Sequence, residues 1–271
     1  MASPSPGVLV RPALRGVALI YLTFLLIIPV VLIAFRTFEN GLAPVIDGIT
    51  SPAAIHAFQI TAVVTFWSVL ANTIFGVTTA ILLVRHVFRG KRVLNALIDL
   101  PIAVSPVIVG LSLILVYGRT TGVGQALAGI GINIIFSIPG MVMATIFVCI
   151  PLVVRAVAPV LEEIGDDQEQ AAATLGAGPV QTFLRITLPS IRGALAYGVV
   201  LALARSLGEY GAVAVVSGRL VGRTQTVTLL VQERYLNFDQ ETAYACALML
   251  VVTAVIALII SRWLAPKEIT K

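Results

Sequence analysis

Apolar residues along this chain fall in long, unalternating blocks separated by short polar stretches. A half-buried strand would alternate every second residue, and a membrane barrel would show alternating segments of about ten residues. Long apolar blocks predict helices that cross a bilayer, whose hydrocarbon core takes about 20 helical residues. Six spans are predicted: Val17–Phe35, Ala57–Val84, Val93–Tyr117, Ile134–Val154, Ala194–Val216 and Ala243–Leu264. The first follows Arg11 and Arg15, as a secretory signal would. Its apolar run is too long for one, and Phe35-Arg36-Thr37-Phe38 offers no small-residue cleavage site. It is read as a retained helix. The expected fold is all-α: a polytopic membrane helical bundle of six transmembrane helices, one domain over residues 1–271. The N-terminal MASPSPG is expected to be disordered.

Composition agrees. The chain is 58% hydrophobic and 11% charged, against about 25% charged residues in soluble domains. A soluble core could not hide that much apolar surface, so the lipid bilayer is the first expected partner. The net charge of +5 would suggest nucleic acid in a soluble protein. Here the cations flank spans and no basic patch is interleaved with aromatics, so no nucleic acid is expected. Twelve lysines and arginines (Arg11, Arg15, Arg85, Arg89, Lys91, Arg92, Arg155, Arg185, Arg192, Arg262, Lys267, Lys271) fall on the side that carries both termini. Five (Arg36, Arg119, Arg219, Arg223, Arg234) fall on the other. The richer side is expected to be cytoplasmic. Cys149 and Cys246 lie within apolar runs and read as buried small residues. His56 and His86 sit at opposite ends of the second span without metal-ligand company.

The longest connection on the richer side, about 158–192, is where structure is expected. Leu161 to Thr174 is helix-compatible, with Glu162, Glu163, Asp166 and Asp167 near its start and Ala171-Ala172-Ala173 within it. Gly176 and Gly178 permit a sharp turn, and Pro179 suits the first position of a second helix. That helix is expected over Gln181–Ile186, ended by Pro189. The product is an elbow of two short helices on the membrane surface. It either docks a partner, which small alanines would let approach closely, or merely joins two spans.

Two further stretches carry chemistry. In ARSLGEYGAVAVVSG, Ala204 to Gly218, Arg205 and Glu209 lie inside an apolar run at i, i+4 spacing and share a helix face. A charge at mid-helix in a membrane costs about 2.5–3.5 kcal/mol on insertion scales. The pair therefore either lines a path or gate, or is a structural ion pair. Gly208 and Gly211 permit close packing or a local break. In DLPIAVSPVIVGL, Asp99 to Leu111, Pro101 and Pro106 release backbone groups that must be satisfied again or face a cavity. Ser105, between them, is placed to hydrogen-bond those groups.

EQAAATLGAGPVQTFLRITLP, Glu169 to Pro189, resembles the EAA loop of ABC-importer permeases, matching at Ala171, Ala172, Gly176, Leu188 and Pro189. Six positions before Gly176, where that family has glutamate, stands Gln170, and Glu169 is one place earlier. GEYGA with VVSG, and DLPIAVSPVIVGL, resemble the fifth and third spans of oxyanion importers. The outer segment SGRLVGRTQTVTLLVQERYLNFDQETAYACA is most similar to the sulfate/thiosulfate branch, with molybdate or tungstate permeases as the alternative. The resemblance implies a type I importer fold in a bacterial inner membrane. It implies that the elbow couples to a separate ABC ATPase, which binds ATP and Mg. It also implies a second related permease, in a heterodimer, and an extracytoplasmic sulfate-binding protein. Glu169, Gln170, Ala171, Ala172, Gly176, Leu188 and Pro189 would then be coupling residues, and Ser105, Arg205, Gly208, Glu209, Tyr210 and Gly211 path or gate candidates. No Gly-x4-Gly-Lys-Ser/Thr pattern occurs, so no ATP site and no enzyme activity is expected of this chain. Neither a ring-forming channel filter nor a catalytic cluster stands out, which disfavours a channel or a membrane enzyme.

Overall fold

The computed structural model describes residues 6–264. Residues 1–5, Lys267, Lys271 and the side chains of Arg11 and Arg262 lie outside the described residues; Pro6 and Gly7, expected to be disordered, open the first helix. Every element among the described residues is a helix. In order they are α1 (Pro6–Leu22), α2 (Ile28–Phe38), α3 (Leu42–Thr50), α4 (Pro52–Arg85), α5 (Lys91–Ala103), α6 (Pro106–Tyr117) and α7 (Gly122–Gly129). Then follow α8 (Ile138–Ile164), α9 (Asp167–Thr174), α10 (Pro179–Thr182), α11 (Leu188–Leu207), α12 (Gly211–Val216), α13 (Val227–Leu236) and α14 (Gln240–Leu264). Short π-helical turns, Thr23–Ile27 and Phe183–Thr187, join α1 to α2 and α10 to α11. Five stretches are long and apolar enough to cross a membrane: Leu14–Phe38, Pro52–Arg85, Ile138–Ile164, Pro179–Leu207 and Gln240–Ile260.

The predicted third span is not one rod. It is α5 and α6, bent by 113° at Val104–Ser105, and makes a sixth crossing only as a broken pair. Pro106 disfavours helical backbone at the residue before it, and Ser105 is extended there, with φ −59° and ψ 133°. Pro101, by contrast, sits inside α5 without ending it. The fifth span also breaks, after Leu207, and resumes as α12.

Two other expectations fail at prolines and charges. Pro189 does not terminate a helix. The wider π turn before it pairs the Leu188 N–H with the Phe183 carbonyl. That turn absorbs the donor Pro189 lacks and relieves its ring, so one helical stretch runs from Pro179 to Leu207. The same device precedes Pro29, where the Ile28 N–H bonds Thr23. The fourth span likewise outlasts its apolar block. α8 continues through Glu162 and Glu163 to Ile164 because Val157, Ala158 and Leu161 remain buried in the bundle. The acidic pair therefore closes α8, and α9 starts with Asp167 after Gly165, whose φ is +70°.

α8 is the central helix, packed between α4 and α11. The three backbones meet at Val153. A Cβ on Gly76 would lie 2.6 Å from the Val153 Cβ, and one on Gly198 would lie 3.1 Å from the Val153 Cα. Small residues that admit such approach are how membrane helices gain packing energy. Three buried apolar clusters follow one another along α4, around Ala57, Val64 and Val77. The first span differs: no residue of its most apolar window is buried.

Candidate functional site

The elbow is built at the face where α4 and α8 end. α9 closes with a left-handed cap. Gly176 has φ +85°, its N–H bonds the Ala173 carbonyl at 3.0 Å, and the Ala177 N–H reaches back to Ala172 at 3.0 Å. This bonding satisfies the last carbonyls of α9 and needs a glycine at the turn. Gly178 is extended and has no such requirement. Pro179 then opens the second arm at its first turn. Leu175, 88% exposed, Val180 and Leu184 present apolar side chains outward. Beside them lies an open cleft of about 380 Å³ lined by Ala172, Gly176, Gln181 and Arg185. An apolar tip over a polar-edged cleft is a shape that seats in another protein's groove.

What holds the elbow to the spans is Arg85, which the sequence showed only as one more flanking cation. Its Nε donates to Glu169 Oε2 at 2.9 Å and its Nη2 to Glu169 Oε1 at 3.3 Å. Its Nη1 donates to the Leu161 carbonyl at 2.9 Å, and Nη2 also to the Gly165 carbonyl at 2.7 Å. The Glu169 carboxylate accepts a third bond, at Oε1, from the Thr187 hydroxyl at 2.7 Å. The end of α4, the end of α8, the short helix α9 and the base of the fifth span therefore converge on one guanidinium–carboxylate pair. Glu169 is committed to this contact, while Gln170 is exposed and its amide makes no side-chain hydrogen bond among the described residues. Thr187 and Arg85 carry no spacing signal that would have marked them.

The two broken spans meet deeper in the bundle. α6 packs on α12 so closely that a Cβ on Gly110 would lie 2.9 Å from the Ala212 carbonyl. Gly211 is held the same way against Pro106, at 3.0 Å. Arg205 Nη1 lies 2.7 Å from Glu209 Oε2, with the glutamate side chain 2% exposed and the arginine 40%. The other carboxylate oxygen accepts from the Ala212 N–H at 2.9 Å and so caps α12. The Thr228 hydroxyl donates to the Glu209 carbonyl at 3.0 Å. The Tyr210 hydroxyl donates to Gln232 and faces Arg219 Nη2 at 3.5 Å. α13 is tied back to α4, where the Val227 N–H bonds the Thr61 hydroxyl at 2.9 Å.

Thus Arg205, Gly208, Glu209, Tyr210 and Gly211 lie at one helix break, facing the break at Val104–Ser105 across the contact of Gly211 with Pro106. Ser105 departs from expectation: the residue is exposed, its hydroxyl makes no hydrogen bond among the described residues, and the Val104 N–H keeps its helical bond to the Leu100 carbonyl at 3.0 Å. Thr228 and Gln232 carry no signal of their own in the sequence, although both lie in the quoted outer segment. Asp99 accepts a two-point pair from Arg155 at 2.9 and 2.6 Å, and Arg155 also donates to Asn95 Oδ1 at 2.9 Å, tying α5 to α8.

Residues 72–269 match the family model described as "Binding-protein-dependent transport system inner membrane component". The chain is 43% identical over 253 residues to the sulfate transport system permease protein CysW of Synechocystis sp., covering 93% of this chain and 92% of that protein. It is 44% identical over 252 residues to the like-named protein of Synechococcus elongatus, covering 93% and 88%. The sulfate transport system permease protein CysT of Salmonella typhimurium is 34% identical over 243 residues, covering 90% and 88%. Among solved structures, a chain of a bacterial alginate ABC transporter, in complex with its alginate pentasaccharide-bound periplasmic protein, has a TM-score of 0.75. It is 20% identical and covers 94% of this chain and 92% of that one. That likeness establishes the fold.

Proposed function

The chain belongs to the binding-protein-dependent transport system inner membrane components, and we propose that it is a permease subunit of an ATP-driven importer that brings sulfate or thiosulfate into the cytoplasm. The observation that carries this reading is the 43% identity over 93% of the chain to a protein named for sulfate transport. The higher identity to that type than to the second named permease, at 34%, supports assembly as a heterodimer with a distinct sister permease. An extracytoplasmic binding protein delivers the anion, and ATP and Mg are held by a separate ATPase. This chain is a transport subunit with no ATPase site of its own. Lysine and arginine bias, twelve against five, supports a cytoplasmic side for both termini and the elbow.

In this reading the Leu175–Leu184 tip seats in a groove of the ATPase, and nucleotide-driven motion enters there. Rigid α9 passes it through Glu169 to Arg85 and Thr187, hence to the second, fourth and fifth spans. The paired breaks respond, since helix ends meeting at membrane depth offer backbone donors to an anion. Arg205, more exposed than its partner, is the cation available to a passing dianion. Binding there is weak, because release must follow.

The test is uptake of labelled sulfate in cells lacking this chain and again with it restored. Restored sulfate uptake, competed by thiosulfate and not by molybdate, is expected. Loss and recovery of molybdate uptake instead would overturn the anion assignment while leaving the importer reading intact.

A further inference from the structure

Two cavities lie end to end between α4, α5 and α8, away from both the elbow cleft and the paired breaks. The deeper, about 260 Å³, is lined by Phe75, Thr79, Leu97, Ile98 and Ile150 among others. The second, about 670 Å³, opens toward the elbow face and is lined by Leu83, Val87, Lys91, Arg92, Arg155 and Glu162 among others. One stripe of each helix serves both. Gly76, Thr79 and Leu83 follow at i, i+3, i+7 on α4, as do Leu94 and Ile98 above Lys91 on α5, while Ile150, Val154 and Ala158 follow at i, i+4, i+8 on α8. The two cavities are thus one groove. At 1.5 Å per residue, Ile150 to Glu162 spans about 18 Å. That is close to one leaflet of a bilayer, whose total thickness with headgroups is about 40–45 Å.

Charge separates the two ends. The deep end is apolar except for Asn72 and Thr79. At the mouth, Arg155 is neutralised by Asp99. The side chains of Lys91 and Arg92 have no ion pair or hydrogen bond among the described residues, and Arg89 is their neighbour in sequence. Glu162 is the one carboxylate lining the mouth, so the mouth stays net positive. A partner helix would want a slot of full bilayer depth without free cations. An apolar trough one leaflet deep with a cationic rim matches a single anionic phospholipid, and basic pockets between spans recognise such headgroups.

We propose that the groove between α4, α5 and α8 binds one anionic phospholipid of the leaflet on the elbow side, its phosphate held by Lys91 and Arg92 and an acyl chain lying along Leu97 and Ile150. A lipid there braces α5 against α8 at the foot of the broken third span.

The test uses the assembled transporter, this chain with its ATPase and companion permease, in phosphatidylcholine vesicles with and without phosphatidylglycerol. A diazirine amino acid replaces Leu97, and its photoadduct is identified by mass. A phosphatidylglycerol adduct is expected. It should fall about thirtyfold in the neutral K91Q/R92Q variant, which guards against misfolding, two surface cations being worth about 2 kcal/mol toward anionic lipid, and further in the K91E/R92E variant. Inorganic phosphate added to the vesicles should not displace it, whereas displacement would point to a site for free anions and overturn the lipid assignment. An adduct to a protein chain would overturn it, and so would a phosphatidylglycerol adduct indifferent to the substitutions.

Discussion

Arg205 and Glu209 stand four residues apart across the end of one helix, 2.7 Å from each other. Arg85 and Glu169 come from positions 84 residues apart and bind at 2.9 Å. The first pair is local. Its glutamate is buried and caps the next short helix, while its arginine is half-exposed, so the pair stabilises a break within one span. The second is a junction: both partners are largely buried, and two carbonyls of the α8 end and the Thr187 hydroxyl share it. Sequence periodicity exposes the first kind and hides the second. The lesson concerns coupling. A local pair shapes a site, whereas only a pair gathering several chain segments can pass displacement from one to another.

Arg85→Ala should show the largest effect. It strands Glu169 and unpairs two carbonyls, and breaking a buried pair from one side costs about 3–5 kcal/mol. Pull-down of the ATPase and sulfate uptake should both fall at least tenfold. Retained coupling would show that the junction is dispensable. At the other pair the two single substitutions should differ. Arg205→Ala leaves the buried Glu209 carboxylate alone and should cost about 3 kcal/mol. Glu209→Gln keeps an acceptor for the Ala212 N–H and frees an arginine that can reach solvent, so its loss should be nearer 1 kcal/mol. Thermal unfolding of the assembled transporter in detergent measures both, and equal losses would contradict the asymmetry of burial.

A smaller effect is expected at the elbow. Gly176→Ala meets no neighbouring atom, so its cost is the left-handed backbone alone, about 1–2 kcal/mol. ATPase affinity should drop about fivefold while the permease pair still assembles. Smallest of all should be Asp99→Asn. Asp99 and Arg155 are 45% and 40% exposed in their side chains, and such pairs contribute about 0–1 kcal/mol. Uptake within twofold of the wild type is expected, and a large loss would raise that pair to the rank of the Arg85 junction.

The number and order of spans were legible because bilayer thickness imposes a length on every apolar block. The elbow was legible because glycine, alanine and proline act over four or five residues. What stayed hidden had a nonlocal or compensated cause. Pro189 looked like a stop because a π turn upstream cannot be seen in residue types. Glu162 and Glu163 looked like a helix start because the packing that carries α8 past its apolar block comes from α4 and α11. Ser105 looked like a backbone partner, yet it is exposed and the Val104 N–H beside it keeps its helical bond to the Leu100 carbonyl. Arg85 looked like one flanking cation among several, since its three targets are brought to it only by the fold.

The most direct measurement places a cysteine at the elbow tip, Leu175→Cys, in otherwise active transporter; the native Cys149 and Cys246 are buried. Crosslinking to the ATPase that depends on nucleotide state, with no labelling by an impermeant thiol reagent in intact cells, is the predicted result. Labelling from outside the cell, or uptake undiminished when the crosslink is locked, would contradict the account.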